Sequence, residues 1–174
     1  SGFAGARPKP SPILSLFSFL YKKENVGFTL QFDDAPSEPI EIAHRTGAPS
    51  SNADVNVNKP NISTLDSGYQ LIEVPLEAIA WGRSGDKGNK ANIGIIARNR
   101  NLLPYIWDTF SEKKIVEIFS HFLENDKIDR HYLPGISGVN YVLHDVLGGG
   151  GTTSLRNDPQ GKGYAQILLS CKIS

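Results

Sequence analysis

Residues 81–94, WGRSGDKGNKANIG, hold four glycines and continue directly into the apolar residues IIA. The nearly continuous apolar run at 91–98, ANIGIIAR, has the length of a strand and predicts a central strand buried in a sheet. The glycine-rich residues before this run predict a loop at the end of that strand. This part of the chain is therefore predicted to be a buried strand preceded by a polar, glycine-rich loop.

The residues that follow predict an α+β domain. A short helix is predicted at 101–107, and Ser111 is a candidate N-cap for a second helix with one apolar face. Residues 128–133 predict a short strand, 139–147 a helix, and 164–173 a final strand. This order favours a ferredoxin-like α/β sandwich, with an antiparallel or mixed sheet and helices packed on one face. The apolar face of the second helix contains Ile115, Ile118, Phe119 and Phe122.

The composition divides the chain into segments. Residues 69–174 contain the compact domain, whereas 34–68 are rich in Pro, Ser, Asn, Asp and Gly and predict a flexible linker. Before the linker, apolar residues alternate over 26–32 and predict a strand with one buried face. These alternating residues are Val26, Phe28, Leu30 and Phe32.

Charge and cysteine content exclude several classes of function. The 18 basic and 18 acidic residues cancel, which removes any general attraction to nucleic acid or to an anionic membrane surface. The predicted central strand also has no aromatic residue of the kind that RNA-binding sheets expose. The single cysteine, Cys171, excludes an internal disulfide and a cysteine-based zinc site, and it favours a reducing compartment such as the cytoplasm. Because methionine is absent, we expect the chain to be a piece of a longer protein.

The first candidate ligand site lies in the glycine-rich stretch. Its glycines allow positive φ angles, so that successive amides can point into one concavity and bind an anion, with Arg83 and Lys87 adding charge. The stretch is neither a Walker loop nor a dinucleotide fingerprint, because a strand rather than a helix follows it. The alternative is a glycine-rich hairpin whose charges are solvated. The candidate residues are Arg83, Ser84, Gly85, Asp86, Lys87, Gly88, Asn89 and Asn92.

The second candidate site follows the predicted helix at 139–147. Four glycines occupy 148–151, although a helix needs only one as its C-cap. The excess indicates close approach of the backbone to a ligand or to another segment, and hydroxyl and guanidinium groups follow it. A flexible connection is the alternative. The candidate residues are Gly149, Gly150, Thr152, Ser154 and Arg156.

The histidines do not form a metal-binding motif, so no metal site is expected. We predict that His144 lies on a helix beside Asp145, where adjacent side chains diverge and do not pair. His131 is predicted to lie in a strand. Ser84 lacks the glycine spacing of a nucleophile elbow. No catalytic residue, reaction or cofactor follows from these patterns.

Two long strings resemble the C-terminal domain of the acyclic terpene utilisation protein family (AtuA-like) over residues 70–174. They are WGRSGDKGNKANIGIIAR and HYLPGISGVNYVLHDVLGGGGTTSLRNDPQGKGYAQILL. GARPKPSPILSLFSFLYKK resembles the end of that family's larger N-terminal domain, which makes residues 1–33 its tail. The resemblance implies a ferredoxin-like fold and, for bacterial members, a role in breakdown of citronellol- and geraniol-type terpenes through acyl-CoA intermediates. It also places Lys90 at a variable position.

Two functions remain open. In the first, the domain binds an acyl-CoA-like or phosphorylated ligand whose anion lies between the two glycine-rich loops. It then completes a site with the N-terminal domain of the parent protein, and the fragment alone is inactive as an enzyme. In the second, it is a non-catalytic assembly domain whose apolar segments at 13–21 and 26–32 pair within a homo-oligomer. No nucleic-acid or membrane partner is expected in either case.

Overall fold

The computed structural model describes residues 10, 12, 14, 17, 19–41, 58–60 and 72–173. The chain divides into two compact units, one comprising residues 1–16 and 57–174 and the other residues 17–56. None of the helices in the described ranges has both the length and the apolar character needed to cross a bilayer.

The smaller unit contains one antiparallel hairpin, in which β1 (Phe28–Leu30) pairs with β2 (Glu38–Ile40). The predicted strand at 26–32 is thus confirmed, but its buried face is wrong, since all four alternating apolar side chains are at least 41% exposed. Within the described part of this unit, the two strands have no second layer against which a face can be buried. β2 lies within the predicted linker, and 42–57 and 61–68 of that linker fall outside the described residues.

The larger unit is an α+β domain built on a four-stranded antiparallel sheet. A separate pair of short strands joins the first and last segments of the domain sequence. In chain order its elements are β3 (Val74–Pro75), β4 (Ala80–Lys87), β5 (Lys90–Ala97), α1 (Leu103–Thr109), α2 (Glu112–Phe119), β6 (Ile128–Leu133), β7 (Gly138–Leu143), α3 (Tyr164–Leu169) and β8 (Lys172–Ile173). The order across the main sheet is β4-β5-β7-β6, and β3 pairs with β8.

The three α-helices in the described part of this unit pack on one face of the main sheet. α3 contacts β4 and β5, α1 contacts β5, and α2 contacts β6. The predicted central strand is confirmed as β5, with β4 on one side and β7 on the other. Ala91, Ile93, Ile95 and Ala97 of β5 are buried beneath the helices because successive side chains of a strand point to opposite faces. The predicted α+β fold, with an antiparallel sheet and helices packed on one face, is confirmed.

The start of α2 follows the sequence prediction. Ser111 Oγ accepts a hydrogen bond from Lys114 N at 3.3 Å, which is the geometry of an N-cap. Ile115 and Phe119 are fully buried, and Ile118 and Phe122 pack against the same core. A local cap and a 3.6-residue period were therefore sufficient to locate this helix.

Two predicted elements are wrong. The predicted helix at 139–147 is β7 and the turn after it, and the predicted strand at 164–173 is α3 followed by the two residues of β8. In β7, buried side chains recur at every second residue, from Val139 to Leu143. In α3, Tyr164 and Leu168 are buried one helical turn apart. Short apolar runs of this kind fit both periods, so pairing with neighbouring strands decides between them.

Candidate functional site

The glycine-rich stretch is a β-hairpin, so the predicted loop is wrong. β4 and β5 pair until Lys87 lies opposite Lys90, which leaves only Gly88 and Asn89 as the turn. Of the four glycines at 81–94, Gly88 alone has a positive φ, at 66°. A two-residue turn that needs a left-handed residue suits glycine there. Because the residues on either side lie in paired strands, their amides do not line up as an anion-binding concavity.

Strand pairing instead collects the charged side chains of this stretch on one surface. Alternation along β4 puts Arg83 and Lys87 on the sheet face opposite the helices, which we call the open face. A shallow cavity of about 400 Å³, which we call the basin, lies there. It is lined by Arg83, Ser84, Gly85, Asp86, Lys87, Asn92, Gly94 and Lys162. Six of the residues expected from the sequence therefore line one cavity.

Lys162 is a basin residue that sequence reasoning missed. It belongs to the turn before α3, and its Nζ lies 3.1 Å from the position that a Cβ would occupy at Gly85. Asp86 Oδ1 lies 3.9 Å from the same nitrogen. Gly85 thus provides space for a cation at the edge of β4, and it does so in an extended conformation. A single lysine in a polar turn has no periodic signal, so only the fold shows its place.

The basin has three cationic side chains and one carboxylate. Lys87 Nζ donates to the Asp86 carbonyl at 3.0 Å. Arg83 has neither a side-chain hydrogen bond nor an ion pair with any residue that the structure describes. Asn92 Nδ2 donates to Asn140 Oδ1 at 3.3 Å across β5 and β7. A guanidinium beside two ammonium groups is an arrangement suited to binding phosphate or carboxylate.

The Ser84 hydroxyl makes two hydrogen bonds within the fold. Its Oγ donates to the Lys162 carbonyl at 3.0 Å and accepts from Ala165 N at 2.9 Å, and the residue is 5% exposed. The same hydroxyl therefore ties β4 to the first turn of α3 and holds the backbone of Lys162 beside the basin.

The second glycine-rich segment lies against the turn of the hairpin. Asn89 joins the two: its Oδ1 accepts from Gly149 N at 2.7 Å, and its carbonyl accepts from Val146 N at 3.0 Å. Gly150, with φ of 71°, passes so near the hairpin that a Cβ there would overlap the Gly88 carbonyl oxygen. Close approach of another chain segment, one of the two explanations offered above for the excess glycines, accounts for Gly150.

The polar residues of that segment bond within their own unit and do not line the basin. Arg156 Nη2 donates to the Phe122 carbonyl at 3.0 Å, and Ser154 Oγ accepts from Arg156 N at 3.2 Å. Thr152 Oγ1 donates to the Leu14 carbonyl at 3.3 Å. Arg156 lines a separate groove of about 660 Å³. The two glycine-rich segments therefore meet at Asn89 but line different cavities.

His144 follows β7 and does not lie on the predicted helix. Its Nε2 lies 2.6 Å from Asp129 Oδ2 on the neighbouring strand β6, and the histidine is 7% exposed. This hydrogen bond holds the pKa of the Asp129 carboxyl below its usual value. Asp145, at φ 46°, points elsewhere and accepts from Asn89 and Asn125. The partner of His144 depends on strand register, which the local sequence does not indicate.

Across the described parts of the chain, no group of three or more His, Cys, Asp or Glu side chains is placed to hold a metal ion. A family model described as the AtuA ferredoxin-like domain matches residues 74–174, which is more than half of the chain. Searches of curated proteins and of solved structures gave no significant match. The matched range contains every residue of the basin and of the segment that packs on the hairpin turn.

Proposed function

This chain belongs to the AtuA ferredoxin-like domain family, and we propose that its domain binds a small anionic ligand in the basin. The ligand is phosphorylated or acyl-CoA-like, the second class following from the resemblance described above. The observation that carries the proposal is the convergence of Arg83, Lys87 and Lys162 on one cavity. We further propose that another domain of the parent protein supplies any catalytic groups.

The basin has features that a hairpin does not need for its own stability. The backbone of Lys162 is fixed from two sides, since Ser84 Oγ bonds its carbonyl and Asp158 Oδ1 accepts from its amide at 3.0 Å. Its ammonium group is therefore presented from a fixed main chain. Gly85 and Gly94 leave the strand surface beneath free of their own side chains. A guanidinium can bind two oxygens of one phosphate through parallel hydrogen bonds, and Arg83 makes no side-chain hydrogen bond to the residues that the structure describes.

The test is titration of the chain with inorganic phosphate and pyrophosphate, followed by amide chemical shifts and by calorimetry. We expect Arg83→Gln and Lys162→Gln each to weaken binding by about 10-fold or more, because a charge-assisted hydrogen bond contributes roughly 1.5–3 kcal/mol. Lys90→Gln is the matched control. It removes the same charge from the same hairpin, but Lys90 does not line the basin.

If Lys90→Gln and Lys162→Gln lowered the affinity for phosphate equally, general electrostatic attraction would explain the binding and the proposed site would be wrong. An unaltered chain that binds neither anion would refute the proposal. Raised salt should weaken phosphate binding more in the unaltered chain than in the variants that lack one basin cation, since salt screens exposed charges.

A non-catalytic assembly role is a second candidate, favoured by the hairpin of the smaller unit. Phe28 and Leu30 of β1 and Ile40 of β2 are 42–43% exposed, although strands with this pattern usually cover a core. We expect light scattering to detect an oligomer that Phe28→Ser with Leu30→Ser shifts towards monomer. The basin variants Arg83→Gln and Lys162→Gln should leave its mass unchanged. A monomeric unaltered chain would exclude this role.

A further inference from the structure

Four partly exposed apolar side chains lie at one end of the open face. Trp81, Ile96 and Leu133 belong to β4, β5 and β6 and share one line of strand register, which passes through Gly138 of β7. Ile136 lies in the short turn between β6 and β7, and its Cδ1 lies 3.4 Å from the position that a Cβ would occupy at Gly138. The four side chains are 37–54% exposed, and we call them the apolar row. Contiguous exposed apolar side chains mark binding surfaces for ligands or partners, and these four lie on the same sheet face as the basin.

The apolar row is the immediate neighbour of the basin. Trp81 and Arg83 are two residues apart on the same strand face, so their Cα atoms are separated by roughly 7 Å. On the neighbouring strand β5, Gly94 lies directly opposite Arg83 and brings no side chain to this part of the open face. A Cβ at Gly94 would find no atom nearer than 3.8 Å. The strand surface from the indole to the cations is therefore continuous.

The Trp81 ring is held in place from one side. The guanidinium carbon of Arg98 lies 4.6 Å from the ring centre, and Arg98 Nε donates to the Glu77 carbonyl at 3.2 Å. Trp81 is nevertheless 54% exposed, so much of the remaining ring surface is open to solvent. An aromatic ring fixed in this way offers a platform for an apolar group at low entropic cost.

The dimensions and charge of the open face favour a small ligand over a protein partner. Four strands about 4.8 Å apart and six to eight residues long cover roughly 400–500 Å², whereas each side of a stable protein interface buries about 800 Å². The adjoining Lys87 and Lys162 also argue against a protein partner, since lysine is depleted from protein interfaces.

We infer that the ligand of the basin is a phosphate ester whose apolar group lies on the apolar row beside the basin. This inference rests on the proposed anion binding and specifies its ligand. Inorganic phosphate would occupy only the cationic part of the surface. Either a planar ring or an aliphatic chain satisfies the contact, because the row combines one indole with three aliphatic side chains.

The test compares inorganic phosphate with hexyl phosphate, phenyl phosphate and adenosine 5′-monophosphate on the full chain, by calorimetry. We expect at least one ester to bind about 10-fold more tightly than inorganic phosphate, as burial of a few apolar carbons would produce. Trp81→Ala should reduce this gain at least threefold and leave the affinity for inorganic phosphate within about twofold. Leu155→Ala is the matched control, since Leu155 is apolar and 87% exposed but lies outside the open face.

The outcomes separate the two proposals. A chain that binds phosphate but gains nothing from any ester would overturn this inference and leave anion binding intact. A chain that binds neither phosphate nor esters would overturn both. If Trp81→Ala left ester affinity unchanged, or dissociated an oligomer, the apolar row would not be a ligand surface. A gain with the hexyl ester alone, or with the aromatic esters alone, would support the inference and identify the apolar group.

Discussion

Gly150→Ala should lower the free energy of unfolding by about 3–5 kcal/mol, whereas Gly151→Ala, at the next position, should cost only about 1 kcal/mol. Both glycines have left-handed backbone, with φ of 71° and 52°. A side chain at either position therefore carries the same conformational penalty. Only at Gly150 would the new Cβ overlap the carbonyl of Gly88, while at Gly151 it would meet no atom within 4 Å.

The contrast arises because the obstacle at Gly150 is main chain, which cannot rotate away. Relief requires the hairpin turn to move, and Asn89 would then lose its bonds to Gly149 and Val146. Urea unfolding followed by circular dichroism measures both free energies. Equal costs for the two variants would show that backbone conformation alone, and not this close approach, requires glycine here.

Arg130→Ala should cost about 3 kcal/mol or more, because this guanidinium is nearly enclosed and has several partners. Its Nη1 donates to the Trp107 carbonyl at 2.6 Å, and its Nη2 lies 3.0 Å from Glu112 Oε2. The guanidinium carbon is 3.8 Å from the centre of the Trp107 ring, and the side chain is 12% exposed. Its removal leaves a cavity and an unpaired carbonyl near the end of α1.

Arg98→Ala is the matched control, since Arg98 also lies over a tryptophan, Trp81, but at an exposed site. An exposed cation–π contact contributes about 0.5–1 kcal/mol, so we expect a loss of that size. The loss of unfolding free energy in Arg130→Lys should lie between those of the two alanine variants, because lysine keeps the charge but lacks the planar guanidinium. Thermal and urea unfolding of the three variants provide the comparison, and similar costs for Arg98→Ala and Arg130→Ala would contradict the expectation.

Features of the fold that depend on local order could be predicted from the sequence. β5 follows from its apolar run, and α2 follows from the Ser111 cap and its apolar stripe. β7 and α3 could not be predicted, because their short apolar runs fit a period of two as well as a period of 3.6. What fixes β7 as a strand is its pairing with β5 on one side and β6 on the other. Those contacts are distant in sequence.

The candidate site shows the same division. The donors of 83–92 were identifiable because so many charged and amide side chains crowd a glycine-rich stretch. Their arrangement was not, since a hairpin and a loop share this composition, and only the register assigns Arg83 to the open face and Ser84 to the helices. Lys162 could not be assigned to the site from the sequence, because it lies 78 residues from Ser84 along the chain and meets Gly85 only in the folded domain.

The contact between the hairpin turn and residues 145–149 has a consequence for which side chains reach solvent. A shift of one residue in a strand exchanges its two faces, which in β4 would bury Arg83 and expose Ser84. Such a shift would also displace Asn89 from Gly149, sixty residues along the chain, and from Asp145. The distant segment therefore opposes misregistration of β4 and β5. The set of side chains that the open face presents therefore depends on the amide side chain of Asn89, which lies outside the basin.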